Sequence, residues 1–164
     1  LEVVADYKGA EGRPQLPVFG LRFSTSKPVE ETKWLGLSGE TYPDRYKGAT
    51  YGMHTEIPGI PEYIVPQECG NHMFTDYAAF KIGDSVLEAE KMNMPFAFSA
   101  IPFTPGQLEQ AYHREELPKS TRTVLTFVGA MRGVGGIDSW MTDVEEQYHL
   151  PGDKDYHMEV KFRL

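Results

Sequence analysis

Asp155-Tyr156-His157-Met158-Glu159-Val160-Lys161-Phe162-Arg163-Leu164 decides the fold. Tyr156, Met158, Val160, Phe162 and Leu164 fall on one side, and Asp155, His157, Glu159, Lys161 and Arg163 on the other. Strict alternation with period two is the pattern of a strand with one face on a core and one in water. A helix would scatter these residues around its axis. The run predicts a half-buried strand at the end of the chain, and a chain that stops on such a strand reads as a natural C-terminus.

Upstream, Thr121 to Ala130 places Thr123, Leu125 and Phe127 on one face and Val124, Thr126 and Val128 on the other. Apolar residues on both faces predict a central strand covered on both sides. Shorter runs repeat the theme: Val3, Ala5 and Tyr7; Phe19, Leu21 and Phe23; a weaker run from Val29 to Leu37; His72 to Ile82 around Phe74, Ala78, Phe80 and Ile82; Val86 to Met92 as its hairpin partner; and Phe96, Phe98 and Ala100. The 12 prolines and 16 glycines punctuate these runs. Short alternating segments between turn residues give an all-β domain. Pro58, Pro61 and Pro66 hold the segment from Ile57 to Gln67 extended or at an edge, because proline cannot donate to a ladder. One short helix is signalled near residues 105–112: Thr104 is the N-cap, Pro105 opens the first turn, Gln107 completes a capping box, and Leu108, Ala111 and Tyr112 follow at helical spacing. His113 would then close that helix at its negative end.

The 164 residues form a single domain by length, 1–164, or a piece of one. The first residues, Leu1-Glu2-Val3-Val4, read as a cut inside a longer chain. A net charge of −8 without basic runs argues against nucleic acid and anionic membranes as partners. No run approaches the roughly 18 apolar residues of a membrane-spanning helix. The single Cys69 excludes an internal disulfide and a multi-cysteine metal site, and suits a cytoplasmic location without requiring it.

The central strand feeds Arg132-Gly133-Val134-Gly135-Gly136-Ile137-Asp138-Ser139-Trp140. Gly133, Gly135 and Gly136 permit positive φ and close approach of another segment. The spacing fits neither a P-loop nor a dinucleotide fingerprint. Two readings stay open. In one, the loop joins two strands and Trp140 is buried core. In the other, Trp140 offers a flat ring to the C–H face of a sugar while Asp138 and Ser139 fix the loop.

Catalytic patterns are sparse. The 24 Asp and Glu residues include none framed as a catalytic carboxylate at the end of a barrel strand. The five histidines show no metal-ligand spacing, and His157 falls on the solvated face of the last strand. Cys69 with His72 is the only nucleophilic pairing in view, and His72 or His113 with Glu68 the only acid–base pairing. Asp44-Arg45 reads as an ion pair holding a turn beside Trp34.

Four blocks together resemble glycoside hydrolase family 2 β-galactosidases. Trp34-Leu35-Gly36-Leu37 with Glu40-Thr41-Tyr42-Pro43-Asp44-Arg45 resembles the family's W-x-G-x-G-P-x-E-x-Y-x-D-R signature. Tyr63 to Gly70 is similar to Y-x-x-P-Q-E-x-G. Phe96-Ala97-Phe98-Ser99, followed by Leu108, His113 and Leu117, is similar to F-x-x-S…L…H…L. Gly133 to Trp140 is similar to G-x-G-G-x-D-S-W. The first block is one residue shorter here and lacks the family's proline, and His72 and Asp76-Tyr77 stand where arginine and Arg-Trp are common.

The resemblance implies the C-terminal portion of the small-chain domain, a β-supersandwich like that of galactose mutarotases. It implies that the catalytic glutamates lie in a TIM barrel outside this chain, in the same protein or a large subunit, with Mg2+ and a further Na+ there and no cofactor here. It makes Trp140 the substrate-contacting residue for terminal β-galactosides such as lactose, on a loop supported by Gly133, Gly135, Gly136, Asp138 and Ser139. This piece alone would then be inactive, and half a supersandwich, with its open edges, implies an oligomer. Other readings are a stand-alone carbohydrate-binding module, a mutarotase-like isomerase and a purely structural module with Trp140 buried.

Overall fold

The computed structural model describes residues 1–66 and 68–164. Gln67, part of the Y-x-x-P-Q-E-x-G block, lies outside the described residues. Ten strands alternate with turns: β1 (Glu2–Tyr7), β2 (Val18–Ser24), β3 (Glu31–Leu37), β4 (Tyr51–Glu56), β5 (Asn71–Thr75), β6 (Tyr77–Ile82), β7 (Ser85–Lys91), β8 (Phe96–Ile101), β9 (Val124–Met131) and β10 (Tyr156–Arg163). The all-β expectation holds. Six strands form one antiparallel sheet in the order β1-β10-β7-β6-β3-β4, and four form a second in the order β2-β9-β8-β5.

The two sheets pack face to face. The first contributes Trp34, Ala78, Phe80, Ala89, Met158, Val160 and Phe162 to the core; the second contributes Phe96, Phe98, Ala100, Leu125 and Phe127. Phe80 meets Phe98 and Phe127 edge-on at 5.4 and 5.8 Å, and Phe127 meets Phe162 at 4.9 Å. Each such pair adds about 0.5–1.5 kcal/mol beyond its buried area. β10 runs between β1 and β7, with Met158, Val160 and Phe162 inward, as its alternation requires. Leu164 lies beyond the strand and is exposed.

β9 is central to its sheet, and Val124 to Val128 are all buried. The far side of that sheet carries a second, smaller core. Ala100 faces the main core, whereas its neighbour Ile101 packs with Ile64, Cys69, Phe103 and Leu108. The proline-rich segment and the helix therefore cover the sheet from outside.

Three expectations need correction. The run from His72 to Ile82 is two strands in different sheets. It breaks at Asp76, whose N–H donates to the Leu35 carbonyl and whose carboxylate binds Lys91 and the Tyr51 hydroxyl. Phe74 has φ of 52° and is exposed, so it does not share the face of Phe80. The helix α1 spans only Pro105–Glu109. Its Thr104–Gln107 capping box forms, but Gln110 ends it. Ala111 packs on the second core without continuing the helix, and Tyr112 is exposed. His113 precedes a 3-10 turn (Arg114–Glu116) instead of closing α1. β4 was not anticipated: its apolar Tyr51 and Met53 face solvent, while Gly52 and His54 lie inward beside Trp34.

Candidate functional site

β9 delivers the chain to the glycine loop, and backbone bonds fix its first residues. The Arg132 N–H donates to the Pro17 carbonyl at 3.0 Å, and that of Gly133 to the Tyr148 carbonyl at 2.9 Å. The next two N–H groups find no backbone partner. Instead they donate to Asp44: Val134 to Oδ1 at 3.0 Å and Gly135 to Oδ2 at 2.8 Å. The Asp44 side chain is only 6% exposed. Ionised acceptors make hydrogen bonds roughly twice as strong as neutral ones. Asp44 thus joins two sequence blocks 90 residues apart.

Asp44 is itself held by a tight turn, in which Tyr42 and Arg45 exchange backbone hydrogen bonds at 3.1 and 2.9 Å. Tyr42 is buried beneath it and donates to Glu40, which also accepts the Gly70 N–H at 2.7 Å. Burial, then Glu40, pushes the Tyr42 phenol far above its usual range. Asp44 does hold a turn, but its carboxylate reaches across to the glycine loop, and its nearest approach to Arg45 is a long 3.9 Å.

The three loop glycines serve close approach. The positive-φ glycines are Gly12, Gly39, Gly48, Gly70 and Gly83, so the left-handed freedom read from the sequence is not used here. A Cβ on Gly133 would lie 2.8 Å from Tyr148 Cβ, one on Gly135 would lie 1.8 Å from the Arg45 guanidinium, and one on Gly136 would lie 2.5 Å from the Thr142 carbonyl oxygen.

Beyond the glycines the chain turns around Asp138. Its carboxylate accepts the Trp140 N–H at 2.8 Å and, more weakly, the Thr142 N–H at 3.4 Å, and it accepts the Thr142 hydroxyl at 2.8 Å. The Trp140 N–H, then the Thr142 hydroxyl, hold its carboxyl below the usual range. Asp138 therefore fixes loop shape. Ser139 is exposed. Trp140 is 87% exposed, so the buried-core reading of this residue does not hold. The loop exit is tied by Arg132, which binds Asp143 and the Gln15 side chain.

The loop separates two open clefts. One, of about 1060 Å³, lies between the loop and the Pro14–Pro17 and Val65–Pro66 segments. The other, of about 460 Å³, lies toward Asp44, Lys47 and Tyr148. Trp140 lines neither and stands exposed further along the loop.

The alternative pairings do not assemble. Cys69 is fully buried, and burial followed by the Glu40 charge pushes its thiol up to about 11, so it supplies no thiolate nucleophile. His72 is buried between Trp34 and Phe98, with Nδ1 2.8 Å from the Gly39 carbonyl and Nε2 3.1 Å from Glu56. Both ring nitrogens are engaged away from Glu68, which pairs with Arg22 at 2.6 Å. His113 is exposed. Among the described residues no group of three His, Cys, Asp or Glu side chains is placed to hold a metal ion, and no helix is long and apolar enough to cross a membrane.

Fold and site define a class: an all-β sandwich module whose distinctive feature is a clamped, aromatic-tipped surface loop. The chain belongs to the beta galactosidase small chain family, whose model matches residues 1–163. It is 44% identical, over 98% of its length, to a β-galactosidase small subunit of Latilactobacillus sakei, of which it covers 54%. It is 35% identical to a β-galactosidase of Bifidobacterium adolescentis and 32% to one of Streptococcus thermophilus, matching 92% and 95% of this chain but only 15% and 16% of those proteins. The chain thus spans about half of the small subunit it matches.

Proposed function

We propose that the chain completes the active site of a β-galactosidase of glycoside hydrolase family 2, which hydrolyses terminal β-galactosides such as lactose. Its partner is a TIM-barrel catalytic domain, in the same protein or a large subunit. That barrel supplies the catalytic glutamates together with Mg2+ and Na+. Among the described residues no group of three His, Cys, Asp or Glu side chains is placed to hold a metal ion, and no step here runs through one. The assembly is an oligomer in the cytoplasm, where a lone buried Cys69 is at ease.

The observation that carries this reading is a large aromatic held almost fully in solvent on a loop with little freedom of its own. Ile137, Trp140 and Met141 are all exposed within five residues, and several apolar side chains left together in solvent mark a binding surface where a lone one would not. Its face can pack on the C–H face of a pyranose, and the ties from Asp44 and Asp138 reduce the ordering cost of binding. Asp138 and Ser139 shape the loop and leave sugar contact to Trp140.

The test is hydrolysis of a chromogenic β-galactoside by the chain alone and after coexpression with its barrel-bearing partner. The chain alone is inactive and the assembly active. Trp140→Ala in the assembly raises KM more than it lowers kcat. An unchanged KM overturns the role of Trp140, and activity of the chain alone overturns the placement of the chemistry. Sugar affinity of the isolated chain would instead support a stand-alone binding module.

A further inference from the structure

Met141 occupies a position that the backbone would give to glycine. Its φ is 69°, in the left-handed region that glycine enters freely and other residues enter under strain. Its side chain is 97% exposed, so no packing within the chain offsets that strain. Its neighbours hold the backbone in place. The Asp138 carboxylate accepts the Trp140 N–H at 2.8 Å on one side and the Thr142 hydroxyl at 2.8 Å on the other. The Thr142 carbonyl oxygen in turn lies so near Gly136 that a Cβ there would come within 2.5 Å of it. Strained residues that persist because their surroundings over-determine them cluster at ligand sites. Folding gives this methionine no use for its side chain.

Met141 lines the larger of the two clefts beside the loop, of about 1060 Å³. Among the described residues, every polar side chain lining that cleft is already engaged. Arg132 binds Asp143 and the Gln15 side-chain oxygen, and the Gln15 amide nitrogen lies 3.1 Å from His149 Nδ1. Glu68 pairs with Arg22, and Asp138 takes the Thr142 hydroxyl. The surface left open is apolar: Met141, Pro14, Pro17, Val65 and Pro66, with Val65 itself 70% exposed. The smaller cleft across the loop differs, because it presents the Arg45 and Lys47 cations. A sugar entering the larger cleft would lose hydration of its hydroxyls and find few free side-chain partners, whereas an alkyl or aryl group needs none.

We propose that Met141 selects the aglycone: its thioether closes the apolar cleft over an alkyl or aryl group joined to the galactose, while the adjacent Trp140 packs on the sugar. The inference deepens the reading of Trp140 as a sugar platform and rests on it. Methionine suits the task, because its unbranched, polarizable side chain moulds to apolar groups of different shape. The loop then favours β-galactosides with apolar aglycones over lactose more strongly than the same loop with glycine in this position.

The test measures kcat/KM of the assembly with its barrel-bearing partner on hexyl β-galactoside and on lactose, by the galactose released. Met141→Gly lowers kcat/KM for the hexyl substrate by about five-fold, as expected for a methionine partly buried on binding, and changes that for lactose by less than about two-fold. Met141→Gln keeps the backbone demand and replaces the thioether with an amide. It shifts the ratio in the same direction, so the effect belongs to the side chain and not to the strain. The Met141→Gly chain melts no lower than the parent, because glycine accepts the left-handed conformation. Trp140→Ala raises KM for both substrates. An unchanged ratio in either Met141 variant, or a Met141→Gly chain that melts clearly lower, overturns this inference and leaves the raised KM of Trp140→Ala standing. An unchanged KM in Trp140→Ala overturns the sugar-platform reading, and this inference with it.

Discussion

The carboxylate of Asp44 accepts the backbone N–H groups of Val134 at 3.0 Å and Gly135 at 2.8 Å, closing a link between a buried turn and the glycine loop. A hydrogen bond to a charged group contributes about 1.5–3 kcal/mol, and a buried donor left unpaired costs about 1–3 kcal/mol. Asp44→Ala should destabilise the chain by about 2–4 kcal/mol in urea unfolding, while Asp44→Asn, which keeps an acceptor oxygen, loses less. Exchange at the Val134 and Gly135 amides should speed up in both. An Asp44→Ala chain as stable as the parent would show that the loop keeps its shape without the clamp.

The loop glycines should rank by what a methyl group would strike. At Gly133 it meets Tyr148 Cβ at 2.8 Å and Asp44 Cγ at 3.0 Å, and at Gly136 it meets the Thr142 carbonyl oxygen at 2.5 Å. At Gly135 the overlap is larger on paper, 1.8 Å, but the atom struck is the tip of a flexible arginine whose side chain is more than half exposed. Arg45 can swing into solvent, whereas backbone and Cβ atoms cannot. Gly133→Ala and Gly136→Ala should each cost about 1–3 kcal/mol and Gly135→Ala under about 1 kcal/mol. Melting temperatures of the three variants decide it, and a Gly135→Ala chain that melts lowest would reverse the argument.

The contrast between loop and sheet explains what could be read from the chain. β10 was legible because period-two burial is a local property of consecutive residues, and β8 and β9 because a short apolar run between turn residues reads as a strand covered on both faces. β4 escaped because its apolar Tyr51 and Met53 face solvent, so its pattern records an unfilled edge instead of the core. The split at Asp76 escaped because Phe74 and Ala78 keep the same parity on either side of it, although Asp76 itself interrupts the apolar face where the chain changes sheets. Gly133, Gly135, Gly136, Asp138 and Trp140 stood out from composition and resemblance. The partner that holds the start of the loop, Asp44, lies 90 residues from Val134, and no spacing rule connects positions that far apart.

Thr32 offers a test of the core. It lies on β3 opposite Phe80 and Glu56, fully buried, and its hydroxyl has no hydrogen-bond partner. A buried hydroxyl without a partner costs desolvation free energy with nothing in return. Valine has the same branched shape and is at home in a strand. Thr32→Val should stabilise the chain by about 1 kcal/mol, seen as a higher urea midpoint with an unchanged slope. A clear loss of stability would mean that the hydroxyl is satisfied after all.

His157 gives the sheet a pH-dependent contact. On the outer face of β10 its ring bonds Asp6 of β1 at 2.7 Å and Glu159 at 3.0 Å. The Asp6 hydrogen bond, then that of Glu159, raises its pKa above the ordinary value of 6.5. The protonated ring therefore favours the folded chain. Its contribution is complete below the unfolded pKa and disappears as pH rises through the higher folded one. The side chain is more than half exposed, so the effect is small and weakened by salt. His157→Gln, which removes the titrating ring, should lower the melting temperature at about pH 5.5, and the gap should close by about pH 8.5. The gap should also shrink when salt is added at the lower pH. A gap that stays constant with pH, or widens as pH rises, would show that the ring acts through packing or as the neutral form, and not as a cation shared by two carboxylates.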